Sequence, residues 1–65
     1  MIDAETIGRA IRDARKQAAL NQLDLAELAG VAERTVRAVE TGKGNPGLGA
    51  VIAIANVLGL HVMVG

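Results

Sequence analysis

Residues 20–46 read LNQLDLAELAGVAERTVRAVETGKGNP, and two short helices separated by a glycine follow directly from that stretch. Asn21 is a strong capping residue set immediately before QLDLAELAG, where Leu25, Leu28 and Ala29 form the inward face of a short helix. Gly30 ends it in the left-handed conformation that glycine adopts without steric cost. The next helix reads ERTVRAVET, with Val36 and Val39 on one side and Arg34, Arg37, Ala38 and Thr41 on the other. Gly42 closes this helix, and GKGNPG is too rich in glycine and proline for anything but a loop.

Working outward, Asp3 can cap a first helix with Glu5 in its opening turn, and Ile7, Ile11, Ala14 and Ala18 recur along it at helical spacing. Leu48 to Leu58 forms a fourth helix, apolar on nearly every side, which three other short helices can hardly cover. The expected helices therefore span about 4–19, 22–30, 33–41 and 48–58 of a single domain covering residues 1–65. After them Leu60, Val62 and Val64 alternate with His61 and Met63, a pattern that suits a strand over about 60–64. A lone strand cannot satisfy its own backbone, and the chain offers it no second strand.

Sixty-five residues bury only roughly 60% of the surface that the unfolded chain exposes, so the domain needs a staple. Without cysteine there is no disulfide, and one histidine with scattered carboxylates makes no metal-ligand cluster; no metal or cofactor is expected. Oligomerisation remains. Seven basic and seven acidic residues balance to zero, but the charge is unevenly placed, because residues 44–65 carry none. With no serine, cysteine or tyrosine, and its one imidazole in the apolar tail, the chain cannot assemble a nucleophile and base, so an enzyme is not expected. The opening MIDAETIGRA has no secretory layout, which makes the cytoplasm the default. Leu48 to Val64 is nearly apolar but falls short of the roughly 20 residues of a membrane span, is interrupted by Asn56, Gly59 and His61, and lacks flanking anchors.

Two short helices joined across a glycine turn form the unit of helix-turn-helix DNA binders, in which small Ala26 admits the following helix and Val36 and Val39 pack back. Asn21, Gln22 and the ETGKGNP loop sharpen the match. The stretch resembles the Xre type of helix-turn-helix, the class of the lambda and related phage repressors, over essentially residues 7–60. The resemblance implies an all-α, four-helix lambda-repressor-like domain. A domain of this kind that ends soon after its last helix in a short hydrophobic strand is similar to HipB-type antitoxins, whose strands pair across a homodimer. By that likeness the tail's partner is the same tail of a second copy, with Ile54, Leu58, Leu60, Val62, Met63 and Val64 at the dimer interface. The competing reading folds the tail back on its own helices.

A recognition helix presents its N-terminal residues to base edges in the major groove, which makes Glu33, Arg34, Arg37 and Ala38 the candidates for base contact. Arginine bridges guanine O6 and N7; the alternative is that both arginines meet phosphates or pair with Glu33. Glu33 either accepts from a cytosine amino group or simply favours the helix dipole. Asn21, Gln22, Thr35, Thr41 and Lys43 are the candidates for phosphate contact, with Arg9 and Lys16 weaker ones. Ala32 departs from the family, where a hydroxyl cap is usual. In related domains an arginine late in helix one pairs with a glutamate late in helix three, and Arg15 and Glu40 match those positions. The implied partners are a double-stranded DNA operator, a second copy of the chain and a HipA-like kinase toxin. The competing functions are a stand-alone Xre regulator and a protein-interaction adaptor without DNA binding, kept open by zero net charge and an exposed Leu23.

Overall fold

A computed structural model describes residues 3–60, and they form four helices: α1 (Ala4–Gln17), α2 (Gln22–Ala29), α3 (Glu33–Thr41) and α4 (Leu48–Val57). Each start has a local cause. The Asp3 carboxylate accepts the Thr6 N–H at 2.7 Å, and that bond lowers the pKa of its carboxyl below the ordinary value. Asn21 Oδ1 accepts the Asp24 N–H at 2.7 Å while Asp24 Oδ2 accepts the Asn21 N–H at 3.1 Å, a reciprocal capping box. Ala32 has no such group, and α3 begins without a side-chain cap.

α1 packs chiefly on α3, whereas α2 packs on both α3 and α4, so α3 is shared by α1 and α2. Ile11, Leu25, Ala26, Val36, Val39 and Ile54 make the buried core, with Ile7, Ala29, Val31, Val51, Val57, Leu58 and Leu60 closing round it. Two expected inward residues are not inward. Leu28 is 62% exposed, because α2 turns Leu25 and Ala26 to the core and leaves Leu28 on its flank. Ala18 is exposed too, since α1 ends at Gln17, before the expected limit near Ala19. α4 is incompletely covered, with Leu48 62% and Ile52 40% exposed.

Gly8 sets the distance between α1 and α3. A Cβ there would collide with the Val39 carbonyl oxygen and lie 2.6 Å from that of Glu40, so the two backbones touch because this residue has no side chain. The four helix ends share one geometry, in which the residue after a left-handed position bonds back to a carbonyl five residues earlier: Leu20 to Arg15, Val31 to Ala26, Lys43 to Ala38 and Leu60 to Ala55. Three of the left-handed positions are Gly30, Gly42 and Gly59, but the first is Ala19, at φ 58°.

The expected strand over 60–64 lies outside the described residues except for Leu60, which bonds to Ala55 and packs on the core of its own chain. These contacts predict opposite effects of two small changes, readable by urea denaturation. Gly8→Ala should lose about 2 kcal/mol or more through overpacking. Ala19→Gly should gain about 0.5–1 kcal/mol, the relieved left-handed strain exceeding the added freedom of the unfolded chain.

Candidate nucleic-acid interface

Glu33, Arg34, Arg37 and Thr41 share the face of α3 opposite Val36 and Val39, and all four are exposed. Ala38 and Thr35 flank that face and are half-buried. Thr41 Oγ1 donates to the carbonyls of Arg37 and Ala38 at 3.0 and 3.2 Å, so its single proton serves the end of α3. Lys43 is exposed in the loop beyond Gly42. The loop is braced from behind, because a Cβ on Gly42 would lie 2.9 Å from Glu5 Cα of α1.

Beneath this face lies a buried charge. Glu40 is 7% exposed, and its carboxylate accepts Arg15 Nε at 2.6 Å and Arg15 Nη2 at 3.0 Å, a bidentate fork. Gln22 Nε2 adds a third hydrogen bond to Glu40 at 3.3 Å, and Arg15 Nη1 donates to the Leu20 carbonyl at 2.9 Å. No buried side-chain nitrogen or oxygen among the described residues is left without a partner. Bonding to Glu40 raises the pKa of the Arg15 guanidinium above an already high ordinary value. One carboxylate thus ties α1, the start of α2 and the end of α3 together. The surface ion pair, Arg37 Nη2 to Glu33 Oε2 at 3.7 Å, is of another kind, exposed and open.

The model of the Xre-like helix-turn-helix family matches residues 11–63. The chain belongs to that family. A comparison with curated proteins gives no match. As an Xre-like helix-turn-helix protein the chain is a DNA-binding transcription regulator, in a family not normally enzymatic. Among the described residues none of its helices is long and apolar enough to cross a membrane, and no cluster of His, Cys, Asp and Glu could hold a metal ion.

Several residues singled out in the sequence sit differently in this helix-turn-helix protein. Ile54 is fully enclosed in its own core, at 0% exposure, and offers nothing to a second copy; Leu58 and Leu60 are half-buried against the same core. His61, Val62, Met63 and Val64 lie outside the described residues. Asn21 has its amide oxygen and backbone N–H occupied by the capping box, which leaves its Nδ2 group to meet a ligand. Gln22 is turned inward to Glu40 by one of its two amide hydrogens, an engagement that sequence reading missed because it spans 18 residues. The Asn21-x-x-Asp24 spacing was a visible signal of the capping box. Gly8 went unread in the sequence, although a glycine within an amphipathic helix beside the apolar stripe was a visible signal of close packing.

Removing one partner of the buried pair strands the other. Glu40→Ala or Arg15→Met should each cost about 3–5 kcal/mol, while the double change Arg15→Met/Glu40→Leu should recover much of that loss. Thermal denaturation of the three variants checks it, and additive losses would contradict a coupled pair.

Proposed function

We propose that the protein is a dimeric, sequence-specific repressor that binds a palindromic operator and acts in the cytoplasm as the antitoxin of a HipA-like kinase toxin, repressing its own operon. The observation that carries the DNA-reading part is the exposed face of α3, with Arg34 and Arg37 outward and the helix anchored from behind by Glu40. Glu33, Arg34, Arg37 and Ala38 are assigned to base edges, and Asn21, Gln22, Thr35, Thr41 and Lys43 to phosphates. Thr41 must give up a backbone hydrogen bond to donate.

Dimerisation is supported by the uncovered Leu48 and Ile52 of α4 and by the lack of any Lys, Arg, Asp or Glu from residue 44 to residue 65, so that pairing this end buries none of those side chains. The antitoxin role rests on the likeness of the tail to HipB-type antitoxins; without a toxin the same chain is a stand-alone regulator. A protein-interaction adaptor is favoured by one feature, the exposed Leu23 and Leu28 on α2.

Salt separates repressor from adaptor. Lys43 together with Arg9 or Lys16 of α1, the weaker phosphate candidates, would neutralise about four phosphates in a dimer, so operator affinity should fall with a log–log slope of about −3.6. An adaptor gives no such titration. The chain without residues 61–65 should elute at half the mass of the full chain and bind operator far more weakly; unchanged mass and affinity would remove the tail from the mechanism.

A further inference from the structure

Among the described residues two ion pairs involve α3, and they differ in a way that bears on specificity. The Arg15–Glu40 pair is closed, with every donor and acceptor at the contact engaged. In the pair on the outer face, Arg37 Nη2 stands 3.7 Å from Glu33 Oε2, one helical turn apart, with the side chains 59% and 43% exposed. That separation is too long for a hydrogen bond. The charges hold the two groups side by side, while the guanidinium keeps all its donors and the carboxylate all its acceptors for a third party. An exposed pair of this kind contributes little to stability, and Arg34 beside it has no ion-pair partner among the described residues.

The major groove limits what such a pair can meet. A carboxylate is repelled by phosphate, by guanine N7 and O6 and by thymine O4; the groove's only donors are the amino groups of cytosine and adenine. A guanidinium fits best on the two acceptors of guanine. In a G·C pair the two demands lie next to each other, since guanine shows N7 and O6 and its partner cytosine shows the N4 amino group. An A·T pair interleaves acceptor, donor and acceptor, and matches neither group in that order.

We propose that Glu33 and Arg37 act as a unit that reads one G·C base pair in each half-site, Arg37 on the guanine and Glu33 on the amino group of its cytosine. The inference rests on α3 being the DNA-reading helix. In this arrangement Glu33 is a specificity residue: it rejects an acceptor at the cytosine position and orients the guanidinium that reads the guanine. Its charge also favours the start of α3, which has no side-chain cap, so the experiment must separate the two roles.

The probe is a pool of short duplexes randomised over both half-sites, enriched by the wild-type chain, by Glu33→Gln, by Arg37→Ala, by Arg37→Lys and by the Glu33→Gln/Arg37→Ala double variant, each checked for unchanged helicity. The wild type is expected to prefer G·C at one position by about 5- to 150-fold. Glu33→Gln and Arg37→Ala should lose preference at that same position, Arg37→Lys should keep part of it, and the double variant should lose no more than the larger single loss. Single variants that relax different positions overturn the unit. So does a Glu33→Gln chain that binds all sequences more tightly with its preference intact, since Glu33 would then serve only the helix end. A pool from which the wild type enriches no sequence overturns the DNA-reading assignment of α3 and this inference with it.

Discussion

The buried carboxylate of Glu40 constrains the rest of the molecule. Three helices of a very small domain must hold one exposed helix in a fixed attitude, and the apolar core of six residues is too small to fix the rotation of α3 unaided. Directional bonds do what packing alone leaves loose. Arg15 from α1 and Gln22 from α2 converge on Glu40, so a rotation of α3 about its axis would break three hydrogen bonds and leave a charge in an apolar setting. Fixing orientation is what such a buried pair supplies here, more than net stability.

The uncharged end of the chain follows another rule. Residues 3–43 hold all the ionic side chains, which keep that part wetted and oriented, while α4 is apolar on its inner face and partly apolar on its outer one. A helix of that composition is stable only when something covers it. α2 and the core cover one side.

Much of the fold was legible in the sequence because its signals are local. Asp3, Asn21, Gly30 and Gly42 mark helix ends through bonds within a few residues, and Val36 and Val39 declare the inner face of α3 by their spacing. What spacing could not show is which flank of a short amphipathic helix a neighbour covers. Leu28 reads as inward by periodicity and lies outward because α2 turns Leu25 and Ala26 to the core; Ile54, placed at a dimer interface by family likeness, is enclosed in the core of its own chain. The exposed positions of Arg34, Arg37 and Thr41 followed from the α3 pattern, whereas the inward turn of Gln22 depends on a residue 18 positions away. The Arg15–Glu40 contact, 25 residues apart, came from family likeness, since nothing in helix periodicity pairs those two residues.

Gly8 puts the backbone of α1 directly on that of α3, with no side chain between them to yield. A joint of this kind is rigid against compression, so in the proposed DNA complex α3 has no cushion behind it where it meets the duplex. Accommodation between the two surfaces then falls to the long side chains on the outer face and to the bending and groove width of the nucleic acid itself. In that complex base steps that never touch the protein would acquire a say in where it settles, through how easily they deform.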